Sequence, residues 1–332
     1  QFPSNGQEPY RAQPVHVNHD WDIAIVRLHK EEVPKLAQNL ADKGQGELPV
    51  VELYDGPFTS GMEVVAAGYP LGSPTCAITM GIVSGMEQVG GSTCVQSTAP
   101  ISPGNSGGPL FKKGTQQVVG INFAASSSEL AQNVNYVIPS YRVMQVLKHL
   151  EAGEADFTVD KCAEKPTDCD MNVAKVNAVS VPGSPALYAA HGCESGVLVT
   201  KVAERSLLAH AEPAIEADMF ITEVNGVHLD RFGMGIHDEY FQDPVHYHDI
   251  MFMNKDLKDS PAKVKTCSCG KETEHTVDLR WDKSYASLVP DVPQPSLAHL
   301  DFERVGELVI QPMNTDLAKA FVTQAGRLNL VD

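Results

Sequence analysis

The octapeptide Pro103-Gly104-Asn105-Ser106-Gly107-Gly108-Pro109-Leu110 sets one serine among residues that permit tight turns. A turn of this kind presents a hydroxyl outward, and the flanking glycines allow backbone geometry that bulkier residues resist. In that geometry the N–H groups of Gly104 and Ser106 converge on one point, where a developing oxyanion would be held. An ordinary Gly/Ser/Pro loop is the simpler alternative, because these residues mark turns everywhere. The neighbours argue against it. Gln96-Ser97-Thr98-Ala99 leads in, and Val118-Val119-Gly120-Ile121-Asn122-Phe123 follows with the pattern of a buried strand.

Working outward, the first 150 residues read mostly as short strands between Gly/Pro turns. Asp22 to Leu28 is a strand opening on an acid, Glu63 to Pro70 a second, and Thr79 to Gly85 a third with glycines at bends. Asn135 to Pro139 is another strand, and a helix follows from Ser140 to Leu150. Ser140 is its expected cap, with Val143, Val146, Leu147 and Leu150 on one apolar face. Many short strands closed by a helix imply an antiparallel barrel. Residues 151–172 turn polar and acidic and read as a linker. A second unit, 173–288, carries strands at Gly196–Val202 and Asp218–Gly226, the latter ending in an Asn-Gly turn. Ser206–Ala209 reads as a helix or its edge, His237–Asn254 as helical in part, and Thr276–Trp281 as an alternating edge strand. The proline-rich stretch Val289–Pro295 marks a boundary, and 289–332 is too short for an independent domain.

Composition narrows the function. With 332 residues, the chain has room for about two or three domains. No apolar run approaches the roughly 18 residues of a membrane span, and no signal peptide is visible at Gln1. An intracellular compartment (cytoplasm, nucleus or organelle) is therefore expected. A formal charge of −17 without a basic cluster argues against nucleic-acid binding. The seven cysteines are odd in number and scattered, which does not read as a disulfide framework. Cys162 and Cys169 are expected as free thiols, and Cys267-Ser268-Cys269-Gly270 as a hairpin with buried or free thiols rather than a metal clip.

Taken in order, Asp22-Ile23-Ala24, Gly68-Tyr69-Pro70-Leu71-Gly72, Gly81-Ile82-Val83-Ser84, the Ser106 motif, Gly120-Ile121 and Tyr136-Val137-Ile138-Pro139 resemble the Deg/HtrA family of trypsin-like serine proteases with PDZ domains. The resemblance is greatest to its eukaryotic branch of plant nuclear type. It implies a mostly β fold: a trypsin-like double β-barrel protease domain over 1–150, its first barrel incomplete at the N-terminus, followed by PDZ-like α+β domains. The first PDZ-like domain would span 173–288. Phe302–Val309 resembles the opening of a second, truncated one in 289–332.

The resemblance assigns Ser106 as nucleophile, Asp22 as the acid that orients the catalytic imidazole, and Gly104 with Ser106 as the oxyanion hole. Asp20 competes with Asp22 by proximity, but Asp22 directly precedes the apolar strand, as the family pattern has it. In the family the histidine lies some tens of residues before the aspartate, whereas only 21 residues precede Asp22 here. His16 and His19 fall on the strand or loop just before Asp22, a poor place from which to reach Ser106. Substrate contacts would come from Ala99–Ser102 and Ile121–Ala124, with Ile101, Ile121, Asn122 and Phe123 lining a pocket that holds no charge. A small or medium apolar P1 side chain is the expectation.

The implied activity is ATP-independent endoproteolysis of unfolded or exposed polypeptides through an acyl-enzyme, with no cofactor and no metal, in a trimer-based homo-oligomer. The alternative is a catalytically inactive scaffold or chaperone-like binding protein of the same fold. The carboxylate-binding loop of a PDZ domain falls at Val176-Asn177-Ala178-Val179, which lacks the usual glycine. The group His237, His246 and His248 with Asp238, Glu239 and Asp249 reads as polar residues on the surface around an apolar stretch rather than a metal site.

Overall fold

Two strands, β1 (Ala12–Asn18) and β2 (Ile23–Leu28), pair antiparallel and lead into helix α1 (Glu32–Asp42). They open a computed structural model that describes residues 10–18, 21–44, 46, 50–73, 75–89, 92–125, 134–151, 176–253, 261–279, 303–305 and 308–310. Reading the first 150 residues as strands misses α1. Pro34 lies in its first turn, where a missing N–H breaks no intrahelical bond, and Leu36 and Leu40 form its buried face.

A barrel follows: β3 (Glu52–Leu53), β4 (Glu63–Gly68), β5 (Ala77–Val89), β6 (Ser92–Ser97), β7 (Pro109–Lys112), β8 (Gln117–Ala125) and β9 (Asn135–Pro139). Their order is β3-β8-β7-β4-β5-β6-β9, and β9 returns to β8, closing six strands and removing their edges. Alternation buries Val64 and Ala66 of β4, and Val64, Val95, Leu110 and Val119 are 0 % exposed in the interior. Helix α2 (Ser140–Glu151) leaves β9 directly. Ser140 is its first residue, and instead of capping it donates its hydroxyl to the Tyr54 carbonyl at 2.6 Å, tying the helix to the chain after β3.

The next elements are β10 (Ala178–Val181), α3 (Pro185–His191), β11 (Val197–Val202), β12 (Met219–Val224), β13 (Val227–His228), β14 (Met234–Gly235), β15 (Val245–His246), α4 (Tyr247–Met251), β16 (Ala262–Ser268) and β17 (Lys271–Val277). A sheet of order β10-β11-β12-β16-β17 carries β13 beside β12 across the turn at Asn225 (φ 51°) and Gly226 (φ 82°). Helix α3 is framed by Ser184, whose hydroxyl accepts from Leu187 N–H, by Pro185 in its first turn, and by left-handed Gly192 after its end. Ser206–Ala209 forms turns rather than a helix, with Leu207 and Leu208 buried at 1 % and 0 % exposure.

The barrel region packs on the segment between β14 and β15. Phe58, just after β3, stacks on Phe241 at 5.7 Å, and its N–H donates to the Tyr240 carbonyl at 2.8 Å. Tyr141 of α2 meets both Tyr240 and Phe241. Each such ring contributes about 2–3 kcal/mol by burial. The chain divides into two compact units, residues 1–281 and 282–332. In the second, β18 (Glu303–Val305) pairs antiparallel with β19 (Leu308–Ile310). Beyond residue 151 the expected linker lies outside the described residues, as do Cys162, Cys169 and 289–295. Among the described residues no helix is long and apolar enough to cross a membrane.

The cysteines require a correction. Cys193 and Cys267 are joined in a disulfide that spans 74 positions and sits in a core cluster with Leu198 and Phe220. The hairpin at 267–270 thus carries one bonded sulfur and one exposed thiol, Cys269. Closing so long a loop stabilises the fold by on the order of 4 kcal/mol through the unfolded chain.

Candidate active site

Ser106 lies at the tip of the turn joining β6 to β7. Gly104 has φ +102°, and a Cβ there would lie 2.4 Å from the Tyr69 carbonyl oxygen, so only glycine fits the approach. Backbone bonds hold the turn from several sides. Leu71 N–H donates to Pro103 O at 2.7 Å, Asn105 N–H to Ser102 O, and Gly107 N–H to Asn122 O, while Asn122 N–H returns to Gly108 O. Within this frame the N–H groups of Gly104 and Ser106 have no acceptor among the described residues. Two uncommitted donors one residue apart on a fixed turn are what an oxyanion requires.

The chain entering the turn is equally constrained. Asn135 donates its side-chain amide to Ala99 O at 2.9 Å, and Thr79 its hydroxyl to Pro100 O at 2.7 Å. At Gly81 a Cβ would lie 2.2 Å from the Ala99 nitrogen, so β5 passes this segment only as glycine. Ile101, Ile121 and Phe123 are half-buried beside the turn. Asn122 is different: its side chain is fully buried and donates to Pro109 O, so it supports the turn from beneath.

Ser106 is exposed, and its hydroxyl donates to the Phe123 carbonyl at 3.2 Å. Phe123 also lines a cavity of about 60 Å³ together with Trp21, Asp22, Thr93, Cys94 and Arg142. Phe123 thus neighbours Ser106 through its carbonyl and shares a cavity lining with Asp22. Asp22 is exposed and left-handed, with φ +54°, on the turn between β1 and β2. His16 is on β1, 5 % exposed, and paired in register with Ile25; it does not line the cavity. His19 and Asp20 lie outside the described residues. Among the described residues no imidazole accepts from Ser106. Burial pushes the Cys94 thiol up to about 12, which keeps it protonated and inert.

Nothing local to Asp249 in the sequence links it to this region. It lies on α4, 1 % exposed, and its carboxylate accepts from Arg142 Nη2 at 2.7 Å and Thr93 N–H at 3.0 Å. Its neighbours His246 and His248 hold no metal-like arrangement: His246 Nδ1 caps α4, and among the described residues no three such side chains are disposed around a cation. Burial, then the nearby His246, drives His248 down to about 3; burial also lowers His246, against Asp249 and Asp230.

A histidine held neutral in the fold gains a proton on unfolding below about pH 6.5, so stability falls as the pH drops from there toward 3. His248 alone is expected to cost on the order of 3 kcal/mol between pH 7 and pH 4. Urea midpoints at the two pH values measure this, and for a His248→Gln variant the acid loss should be smaller.

Residues 2–121 match the family model described as Trypsin-like peptidase domain. Protease Do-like 2, chloroplastic, of Arabidopsis thaliana is 36% identical over 138 residues, which cover 40% of this chain and 21% of that protein. The serine protease Do-like HtrA of Bacillus subtilis is 31% identical over 139 residues, covering 39% and 28%. The chain thus spans about a quarter of the length of these curated relatives. Among solved structures, the HtrA-type protease AlgW with a decapeptide superposes with a TM-score of 0.51 at 20% identity, over 82% of this chain and 72% of that one. At that identity the likeness speaks to the fold.

Proposed function

Because the chain belongs to the Deg/HtrA family of trypsin-like serine proteases, we propose that it carries the serine and the aspartate of an ATP-independent endopeptidase acting on unfolded or exposed polypeptide. The observation that carries this reading is the Ser106 turn, fixed on both flanks with its two amides uncommitted. In the reaction Ser106 Oγ attacks the scissile carbonyl as an imidazole takes its proton. The carbonyl oxygen, now anionic, receives the N–H groups of Gly104 and Ser106, each worth about 3 kcal/mol in the transition state. Asp22 orients that imidazole and stabilises the imidazolium. Collapse expels the amine and leaves an acyl-enzyme, which water hydrolyses.

The base is the one member left unassigned, since His16 lies in the β1–β2 ladder. Activity turns on an imidazole that reaches both Asp22 and Ser106. Ile101, Ile121 and Phe123 would receive an apolar P1 side chain, with Asn122 supporting them from below.

Full-length protein treated with a fluorophosphonate probe is expected to gain one adduct, mapped to Ser106. A folded protein that takes no adduct overturns the enzyme reading in favour of a non-catalytic scaffold. The same preparation cutting a peptide library after Lys or Arg would overturn the apolar P1 assignment.

A further inference from the structure

We propose that Asp249 is a positioning residue for Asp22: by fixing Arg142 against Trp21 it sets the turn that presents the catalytic acid. This rests on the reading of Asp22 as the triad acid. The carboxylate of Asp249 belongs to α4, yet the side-chain and amide donors it meets lie on two barrel strands and on the helix that follows the barrel. Gln88 on β5, Thr93 on β6 (through N–H at 3.0 Å and Oγ1 at 2.5 Å) and Arg142 on α2 converge on it. These side-chain bonds thus reach away from its own helix.

Arg142 is 3 % exposed, and among the described residues one of its nitrogens finds an acceptor: Nη2 binds Asp249, while Nε and Nη1 are buried with no hydrogen-bond partner there. Such donors are costly to bury unpaired, so the group's placement is set by something else. The guanidinium lies 4.5 Å over the Trp21 ring and 5.2 Å over Tyr141, where the ring faces attract the cation. Trp21 is held from a third side by the edge of Phe252, just past α4, at 6.5 Å. The backbone N–H of Trp21 donates to Asn18 Oδ1 at 2.9 Å.

Trp21 immediately precedes Asp22, whose φ of +54° is a conformation that a non-glycine residue keeps only when its surroundings hold it. Trp21, Asp22, Thr93, Arg142 and Phe123 line one cavity, so the clamp and the acid share a wall. A carboxylate on α4 thereby sets where the acid on the β1–β2 turn sits. If the pair were simple adhesive between the two regions, Trp21 and its ring stack would have no part in it.

The test uses full-length protein and two sets of variants. In Asp249→Asn, kcat is expected to fall about tenfold or more with KM within twofold. The acid limb of kcat/KM should move to lower pH, because a misaligned Asp22 stabilises the imidazolium less. Trp21→Leu should do the same and Trp21→Phe, which keeps a ring under Arg142, should restore most of kcat; this set keeps the test open if Asp249→Asn does not fold. In a Trp281→Phe background, where Trp21 is the sole indole, Asp249→Asn should shift the emission. A folded Asp249→Asn protein with wild-type kcat and unmoved emission overturns the clamp and leaves the protease reading standing. Wild-type protein that never labels with the fluorophosphonate overturns that reading, and the role of the clamp with it.

Discussion

Ser106→Ala is expected to lower kcat/KM by about 10⁴- to 10⁶-fold while leaving the melting temperature within about a degree of wild type. The two halves of that result have separate causes. Chemically, no other hydroxyl stands on the turn between the uncommitted amides of Gly104 and Ser106, so no nucleophile replaces the lost one. Structurally, Ser106 is exposed and its one hydrogen bond is a 3.2 Å donation to Phe123 O, worth about 1 kcal/mol or less at the surface. The turn itself is held by main-chain bonds that alanine preserves. Residual hydrolysis above the variant's background would come from the oxyanion site, which the substitution does not remove. Parallel kinetic and thermal measurements on the same preparation check both halves. A large fall in melting temperature would mean that the serine side chain is structural.

The second large effect concerns stability. Asp249→Ala is expected to cost about 3–5 kcal/mol, read as a shift in urea midpoint, because it leaves the Arg142 cation buried at 3 % exposure without its partner. Arg142→Met alone should cost a similar amount, since it strands the carboxylate. The double replacement Arg142→Met with Asp249→Leu removes both charges and should recover much of the loss. Recovery will be incomplete, because Thr93 N–H loses its acceptor. If the pair acts only as adhesive, the double variant regains activity along with stability. If it positions Asp22, stability returns and kcat does not.

What could be read from the chain follows the range of the physics involved. Asn225-Gly226 turns because two adjacent residues tolerate positive φ, and the strand ahead of it opens on the apolar run Met219-Phe220-Ile221; both facts are local. The Ser106 turn is legible for the same reason, since Gly104 and its neighbours state their backbone requirements in eight residues. Helix α1 was hidden by Pro34, a residue that usually breaks helices but sits where this one needs no N–H. The links that join distant parts carry no such local mark. Cys193 and Cys267 are 74 positions apart, and nothing in either neighbourhood names the other. Asp249 and Arg142 are separated by 107 positions, and an aspartate in a His-rich polar stretch reads as a surface residue until its partners are seen. The proposed support of Asp22 runs through the second of these links, so the candidate nucleophile could be read from its own segment while the support of the acid could not.

The Cys193–Cys267 bond encloses α4, and with it Asp249, in a covalent ring. For a molecule proposed to cut polypeptides, that ring changes what self-cleavage means. A break in the backbone anywhere between residues 193 and 267 severs the chain without releasing a fragment. The two ends stay tethered through sulfur, and the damaged molecule comes apart only when it meets a reductant.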